Sequence, residues 1–504
     1  MYAMIKATKD IINEFNLSFE KRKKQILESA DHVKIDGTTY YVSNGGNDQN
    51  DGLTPKSAWK TLEKVSQADL KYGDGVLFER GDLFRGCIKT KPGVTYAAFG
   101  CGDKPKLFAG NIDLADDTKW SLVDSRANIW KYADKQPDPG TLVFNNGEKC
   151  ANKLIPSYIE GKFVVRENPQ KNFIMHIEMK NDLDMYWEFD EKLTTSHRHP
   201  VSGEDFPVPD VNGALGYIYL RCDNGNPGDV FNSIENVARS HMFYVGQNKG
   251  VKIDNLCIKY VGMHGVAAGM YVEDLTVTNC EFGWIGGTIQ HYFGLDPNYP
   301  EGGRGTVTRF GNAIEVYGGC KNYTVSDNYI YEVYDAGITH QVTTRTKLSM
   351  SDIRYENNLI ENCVYGIEYF LDQIDGESES CMDNVIIKTN FIRNSGYGWG
   401  QQRHNKHTPA AIKGWSYVNT AKNYSITNNI FDRCAYRLLH LVALEKTSLA
   451  YMDGNTYIQH LNGKIGQYGE NKIKEPENIT FDMNADNVIS DVFGDKNSKV
   501  YYID

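Results

Sequence analysis

Apolar and polar residues alternate in short runs between Val251 and Asn455, and a polar turn that contains asparagine introduces each run. A period of two is typical of β-strands, and the 3.6-residue period of a helix is missing from this region. Every repeat contains a step of two mostly small residues followed by an apolar one. The steps are His264-Gly265-Val266, Asn312-Ala313-Ile314, Ala336-Gly337-Ile338, Tyr365-Gly366-Ile367, Ala410-Ala411-Ile412 and Arg437-Leu438-Leu439.

The spacing of the steps predicts the fold. The step recurs after 24 residues from Ile314 to Ile338 and after 29 residues from Ile338 to Ile367. A repeat of this length with two or three strands can bury its apolar face only against the neighbouring repeats. We therefore predict an all-β fold, a right-handed parallel β-helix, because parallel crossovers are right-handed with few exceptions. In this register the step isoleucines, Ile412 included, stack inside.

The rest of the chain predicts additions to these repeats. Residues 1–39 place apolar side chains at helical spacing, so we predict an N-terminal helix that caps the end of the stack. Residues 40–106 form the first coils of the β-helix. The rhythm disappears in residues 107–235, where strand-like pieces alternate with long loops, and we predict an inserted β-sandwich-like domain. Residues 236–455 form the main β-helix with a catalytic groove, and residues 456–504 form C-terminal coils and a cap.

Composition narrows the classes of function. The formal net charge of −11 over 504 residues argues against binding of nucleic acid, which requires a basic stripe. The longest apolar stretch, 438–444, is too short to cross a membrane, and the chain begins without an apolar signal region, so we expect a cytoplasmic protein. The ten cysteines have no metal-type spacing, and neither a metal nor another cofactor is expected. The oligomeric state stays open.

Candidate catalytic residues follow the step isoleucines. Side chains alternate along a strand, so the residue after each step isoleucine points outward. These outward residues form one column: Ala267, Glu315, Thr339, Glu368, Lys413 and His440. Carboxylates beside aromatic rings suit a sugar-cleaving groove, because the acids carry out the chemistry and the rings stack on the sugar. We predict that Glu315 and Glu368 are the general acid and general base.

The spacing of the two glutamates indicates a mechanism. They are two coils apart, about 10 Å between backbones, and leaning side chains bring the carboxyls to about 6.5–9.5 Å, the inverting spacing. Lys413 is expected to hold Glu368 ionised and to leave Glu315 as the protonated acid. Asp335 is the reserve candidate, since it lies four residues from Thr339, about 13 Å along a straight strand.

Further residues are predicted to bind the substrate. Two long loops, 290–309 and 401–408, flank the glutamate column, and loops on a rigid scaffold are where binding residues concentrate. The candidates are His291, Arg304, Arg403 and His404 in the loops, and Tyr317, Gln341, Asp372, Lys413, Trp415 and His440 along the strands.

The start of the predicted β-helix carries a recognisable motif. A strand at Tyr40 runs into a loop rich in glycine, asparagine and aspartate that ends at Gly52, and a short capped helix that contains Trp-Lys-Thr-Leu follows at 57–65. This opening resembles that of pectate-lyase-like β-helix carbohydrate enzymes, nearest to glycoside hydrolase members such as the β-helix xylosidases. The resemblance implies a carbohydrate substrate. It does not carry over the xylosidase catalytic pair, because Phe370 stands where one of those acids is expected.

Together these features predict a glycoside hydrolase that cleaves short oligosaccharides with carboxylate acid and base groups. Two alternatives stay open. A polysaccharide lyase of the same fold would abstract a proton from a uronate with Lys413, Arg403 or a histidine. A non-catalytic carbohydrate-binding solenoid would lose only ligand affinity when Glu315 or Glu368 is replaced.

Overall fold

The structure is a computed structural model of the chain. It describes residues 4–155, 157–159, 162–165, 168–189, 195–198, 205–208, 210–292, 307–373, 379–403, 408–415, 420–471, 474 and 476–504. Two large sheets, in which most neighbouring strands are parallel, make up most of these residues. The fold is therefore all-β in class, as the sequence predicts.

Sheet A contains 14 strands. From Cys257 onward each repeat contributes one strand to this sheet. That strand pairs in parallel with the equivalent strand of the next repeat. The strands of sheet A are Ile5–Lys6, Leu83–Arg85, Lys106–Phe108, Pro139–Phe144, Lys149–Cys150, Ile234–Ala238, Cys257–Val261, Glu281–Ile285, Tyr329–Val333, Leu359–Glu361, Phe391–Ser395, Ile430–Cys434, Thr456–His460 and Lys499–Ile503.

Sheet B contains 19 strands and carries the predicted steps. Its strands are Thr39–Val42, Gly75–Glu79, Ile88–Lys89, Thr95–Phe99, Phe243–Gly246, Lys252–Asp254, Val266–Glu273, Thr276–Thr278, Ile314–Ser326, Ala336–Thr344, Ser349–Glu356, Tyr365–Gln373, Cys381–Lys388, Ala410–Gly414, Ala421–Thr427, Arg437–Ala443, Tyr451–Asp453, Lys464–Glu470 and Ile479–Thr480. The last two strands pair antiparallel at the C-terminal end.

The register of sheet B follows the step isoleucines. Ile338 lies opposite both Ile314 and Ile367, and Ile367 also lies opposite Ile412. All four side chains are fully buried in one apolar core. A slip of one residue would turn this column outward, so burial fixes the register. The predicted stacking of these four isoleucines is confirmed.

A ladder of buried asparagines runs along one corner of the repeats. Each asparagine donates its backbone N–H and its side-chain amide to the Oδ1 atom of the asparagine in the next repeat, over 2.9 to 3.1 Å. The last one donates instead to Asp495. Turn formation alone was expected of the corner asparagines, yet these also satisfy buried polar groups. The ladder consists of Asn328, Asn358, Asn390, Asn429 and Asn455.

We expect the Asn390→Leu substitution to lower the free energy of unfolding by about 3 kcal/mol, since leucine has a similar size but leaves several buried donors and acceptors unpaired. The amide of Asn390 donates to Tyr355 O at 2.8 Å and to Asn429 Oδ1 at 3.0 Å. Denaturant unfolding measures the change. The matched control, Asn487→Leu at an exposed helix position, should change stability by less than about 0.5 kcal/mol. Equal effects of the two substitutions would contradict a stabilising ladder.

The N-terminal helix, Lys9–Leu27, lies along the side of sheet A. Its Phe19 packs edge-on against Tyr329 and Phe391, with ring centroids 6.3 and 5.0 Å apart. The preceding strand, Ile5–Lys6, pairs with the last strand of the chain. The helix was expected over the end of the stack. It lies on the side instead, because its apolar face matches an aromatic strip on sheet A, and only the short strand before it covers an edge.

Residues between Lys106–Phe108 and Ile234–Ala238 add a further sheet, sheet C. Its apolar residues form a core cluster distinct from that of the stacked repeats. The strands of sheet C are Trp120–Asp124, Ile129–Tyr132, Gln136–Pro137, Asn152–Lys153, Asp184–Phe189 and Leu215–Arg221. Smaller sheets comprise Ser157–Ile159, Lys162–Val165 and Asn168–Asn172; Thr195–Arg198 and Asp205–Val208; and Thr288–Tyr292 and Val307–Phe310.

Short helices connect these strands. The α-helices besides the N-terminal one are Leu62–Gln67, Met175–Glu178, Pro227–Val230 and Ala485–Asp491, and the 3₁₀ helices are Pro55–Ser57, Asp117–Lys119, Trp399–Gln402 and Lys446–Ser448. Leu62–Gln67 begins with the side chain of Thr61 accepting the Lys64 backbone N–H, the capping expected of the opening motif.

Candidate functional site

The column beside the step isoleucines lies on sheet B in the expected register. Glu315 is opposite Ala267, and Glu368 is opposite both Thr339 and Lys413. Although they flank the core, both glutamates are only 6% exposed. Buried carboxylates without solvent are costly unless hydrogen-bonded or paired, so these two are not ordinary surface glutamates.

Glu315 is held by neutral donors. Its Oε2 accepts a hydrogen bond from Thr339 Oγ1 at 2.7 Å and one from the side-chain amide of Asn312. Gln341 Nε2 lies 3.3 and 3.4 Å from the two carboxylate oxygens. Burial raises the pKa of Glu315 above its ordinary value, and the hydrogen bonds from Thr339, Asn312 and Gln341 oppose that shift. The position therefore favours a proton more than a solvated glutamate does.

Glu368 lies at the edge of an indole ring. Trp415 Nε1 donates to its Oε1 at 2.6 Å, which leaves Oε2 as the oxygen that can carry a proton. Burial raises the pKa of Glu368, and so does the nearby carboxylate of Asp335. Lys413 and Arg403 oppose this shift but do not cancel it. Like Glu315, Glu368 is therefore shifted toward its protonated form.

Lys413 favours the ionised form of Glu368, as expected, but it does not offset the burial and the Asp335 charge that raise the pKa of that carboxyl. Burial lowers the pKa of Lys413, so the ammonium is itself disfavoured. Its Nζ lies 3.4 Å from the ring centroid of Trp415 and 4.4 Å from that of Tyr365. It donates to Tyr365 Oη at 3.1 Å and to Thr408 Oγ1 at 3.3 Å. The amine therefore also lies against aromatic rings.

Asp335 enters the site from the corner that precedes its strand. Arg403 Nη1 forms an ion pair with Asp335 Oδ1. The guanidinium also lies 5.6 Å from the ring centroid of Tyr365. Because the chain bends at Asp335 before the strand begins, its carboxylate reaches the electrostatic environment of Glu368. The expected long separation from Thr339 assumes a straight strand, so it does not apply to Asp335.

An aromatic row borders the carboxylates. Tyr317 is 45% exposed and meets Phe370 edge-on, with ring centroids 6.4 Å apart. Phe370 meets Trp415 edge-on at 6.5 Å. Gln341 lies between Tyr317 and Phe370 in the strand register. The row gives the site flat apolar faces of the kind on which sugar rings stack.

A cavity of about 560 Å³ opens beside Glu315 and Asp335. Two histidines that the sequence analysis did not single out as site residues line it, His241 and His264, whose rings stack 5.0 Å apart. A signal for them exists, since each stands two residues before the apolar residue of its own repeat. The cavity is lined by His241, Tyr244, Val245, Gly246, His264, Ala267, Ala268, Gly269, Gln290, Phe310, Asn312, Glu315, Tyr317, Asp335 and Gln341.

The other predicted binding residues are placed less centrally. Asp372 is half-buried, and burial raises its pKa. His440 is buried, and burial together with Arg437 and Lys413 lowers its pKa to about 2. His291 belongs to the strand Thr288–Tyr292, and its side chain lies outside the described part of the structure. Arg304 and His404 also lie outside the described residues.

Residues 140–153 hold the 3₁₀ helix Trp399–Gln402, which Arg403 directly follows. Gln402 Nε2 donates to Ala151 O at 2.8 Å, and Gln402 Oε1 accepts the Lys153 backbone N–H at 3.2 Å. The buried Arg309 donates to Gly140 O at 2.8 Å. These contacts position the partner of Asp335.

In the ranges that the structure describes, no group of histidine, cysteine, aspartate and glutamate side chains has the arrangement of a metal site. The helices of those same ranges include none with the length and apolarity to span a membrane.

Comparison with known proteins identifies similar segments and folds. No protein-family model matches the chain. Lacto-N-biosidase of Bifidobacterium longum subsp. longum is 34% identical over 123 residues, which are 22% of this chain and 7% of that protein. The match thus spans a small part of the relative's length. The expected resemblance to carbohydrate-cleaving enzymes is confirmed by this similarity.

Two solved structures are similar to the chain at low identity. XylC in complex with xylose has 11% identity and a TM-score of 0.41, covering 84% of this chain and 69% of XylC. The GH136 lacto-N-biosidase of Eubacterium ramulus has 13% identity and a TM-score of 0.38, covering 98% of this chain and 70% of that protein.

Proposed function

We propose that the protein is a glycoside hydrolase that cleaves oligosaccharides, with Glu368 as general acid and Asp335 as general base. The observation that carries the proposal is the opposed environments of these two carboxyls. Asp335 forms an ion pair with Arg403, whereas burial and the nearby carboxylate of Asp335 raise the pKa of Glu368. A carboxyl with a raised pKa beside a second carboxyl in a different environment is the arrangement from which an acid and a base are assigned in such reactions.

Each carboxyl has a defined task in this mechanism. Glu368, held through Oε1 by Trp415, donates the proton on Oε2 to the glycosidic oxygen as the bond to the anomeric carbon breaks. Asp335 accepts a proton from the water that attacks the anomeric carbon. Glu315 faces the same cavity as Asp335 and is proposed to bind sugar hydroxyls.

The positions favour inversion of the anomeric configuration. Asp335 lies in the bend before its strand and Glu368 lies one repeat away across the sheet, near enough for the charge of Asp335 to raise the pKa of Glu368. We propose that the two carboxyls have the wider, inverting spacing. An inverting pair needs about 6.5–9.5 Å, to leave room for water, whereas a retaining pair needs about 5 Å.

The fold is part of the proposal. We propose that sheets A and B are faces of a right-handed parallel β-helix formed by residues 40–106 and 236–455. Residues 107–235 are a β-sandwich-like insertion, and residues 456–504 are C-terminal coils and a cap. Parallel pairing of each strand with the next repeat supports this architecture.

An assay on two substrate panels tests the activity. We expect neutral oligosaccharides to release new reducing ends, and we expect uronate-containing glycans to give no product with ultraviolet absorbance. If none of the neutral oligosaccharides releases reducing ends, the proposed hydrolase activity is contradicted. A matched protein with both Asp335→Asn and Glu368→Gln controls for contaminating glycosidases.

One observation favours a polysaccharide lyase as the second candidate. The lowered pKa of Lys413 would allow a neutral amine to abstract a proton from a uronate. Against this, Arg403 is already paired with Asp335 rather than free to bind a uronate carboxylate. An unsaturated uronate product that depends on Lys413 would support the lyase.

A further inference from the structure

The cavity beside Glu315 has walls that are polar without being cationic. It measures about 560 Å³, within the range of small-molecule sites. Tyr244 and Tyr317 are each more than a third exposed, so their rings border its mouth. The polar groups deeper inside decide which ligand it accepts.

The two histidines present donors to the cavity. His264 Nδ1 accepts the Asn312 backbone N–H at 3.0 Å, and His241 Nδ1 accepts the His264 backbone N–H at 3.0 Å. Burial lowers the pKa of His264 to about 4 and that of His241 to about 2, so both rings are neutral near neutral pH. With Nδ1 accepting, the proton of each neutral ring is on Nε2.

Gln341 presents an acceptor. Its Nε2 is directed at both oxygens of Glu315, which fixes the orientation of the amide. Its Oε1 is buried and lacks a hydrogen-bond partner among the described residues, and the side chain is 7% exposed. A buried acceptor without a partner is costly, and a ligand hydroxyl would remove that cost.

The charged side chains in the described lining of the cavity are acidic. Of the described side chains that line it, Glu315 and Asp335 are the acidic ones, and neither lysine nor arginine is among them. Arg403 lies beyond Asp335 and is neutralised by it. A ligand carboxylate or sulfate would therefore enter a buried acidic site without a cation to pair with.

We propose that this cavity is a subsite for an uncharged pyranose residue, which donates hydroxyl hydrogen bonds to Gln341 Oε1 and Glu315, accepts one from His264 Nε2, and stacks near Tyr317. Uronates and other acidic sugars are excluded. This inference rests on the proposed glycosidase function, because it names the substrate class of that same site.

Calorimetric titration of the Glu368→Gln variant tests the subsite without turnover. The probes are matched pairs, the methyl β-glycosides of glucose and galactose and the corresponding methyl β-glucuronide and galacturonide. We expect at least one neutral glycoside to bind, and its uronide to bind about 10-fold more weakly or not at all. Equal or tighter binding of the uronide, or binding of none of the four, would overturn the proposal.

Substitution of Gln341 tests the acceptor. In the Glu368→Gln background, Gln341→Leu should weaken neutral glycoside binding by about 5- to 10-fold, the loss of one hydrogen bond. The matched control, Gln49→Leu at an exposed loop position, should leave binding unchanged. An unchanged Kd in Gln341→Leu, with an unfolding transition like that of the parent, would overturn the assignment of Gln341.

Failure of the subsite and failure of the hydrolase are distinguishable. Binding of a neutral glycoside that depends on Gln341, in a protein whose parent releases no reducing ends, would retain the subsite and remove the enzyme. If the parent hydrolyses a neutral oligosaccharide but the variant binds uronides more tightly than neutral glycosides, the enzyme is retained and the neutral subsite is rejected.

Discussion

Replacing Glu368 with glutamine lowers kcat by about 10²–10⁴-fold, because glutamine cannot supply the proton that the leaving oxygen takes up. The substitution preserves size, and Trp415 Nε1 can still donate to the amide oxygen. KM should change little, since the loss is confined to the transition state. Initial rates on a neutral oligosaccharide measure both constants.

The pH profile supplies a second reading of Glu368→Gln. A general acid works only while protonated, so activity falls as pH rises through its pKa. Burial and Asp335 raise the pKa of Glu368, so the parent keeps activity above the range of an ordinary carboxyl and then loses it. The variant should lack this alkaline limb. Glu63→Gln, an exposed glutamate on a distant helix, should keep both rate and limb. Parent-like kcat in Glu368→Gln would place the proton donor elsewhere.

Replacing Asp335 with asparagine also lowers kcat by about 10²–10⁴-fold, because water is no longer activated by a base. This change has a structural cost as well. It leaves the Arg403 guanidinium without its carboxylate partner, which lowers the free energy of unfolding by about 1–3 kcal/mol. Rates and denaturant unfolding on the same preparation measure the two effects.

A double variant separates catalysis from stability at this position. Asp335→Asn with Arg403→Leu removes the unpaired cation, so stability should recover while kcat stays low. The exposed Asp36→Asn should alter neither quantity. Recovery of kcat together with stability would show that Asp335 acts only as a structural partner of Arg403.

The strand register was predictable from the sequence, since burial of Ile314 and Ile338 on one face determines which neighbours point outward. That argument located Glu315 and Glu368 correctly. It could not show that both are buried, because burial depends on side chains such as Trp415 and Gln341 that contact the carboxylates. Periodicity describes one strand face and does not describe what covers it.

Asp335 shows where strand arithmetic fails. Counting four residues from Thr339 assumes a straight strand, but the residue lies in a bend before the strand begins. Its partner Arg403 is 68 residues away in the chain, so the pair is a product of tertiary structure. Corner residues need the path of the backbone, which the repeat pattern does not contain.

Lys413 and the histidines show a related limit. The column placed Lys413 beside Glu368, yet its amine also lies against the rings of Tyr365 and Trp415, and burial lowers its pKa. His241 and His264 stand at equivalent positions of successive repeats, a signal present in the sequence. Their donor role depends on backbone N–H groups directed at Nδ1, which only coordinates reveal.

The central claim is hydrolysis by the buried carboxyl pair, and a proton NMR time course of one neutral oligosaccharide tests it most directly. With the parent protein we predict a new hemiacetal anomeric signal whose first-formed configuration is opposite to that of the cleaved linkage. With Asp335→Asn the signal should form about 10²–10⁴-fold more slowly. An olefinic sugar signal from the parent, or a hemiacetal that forms at the parent rate in Asp335→Asn, would contradict the account.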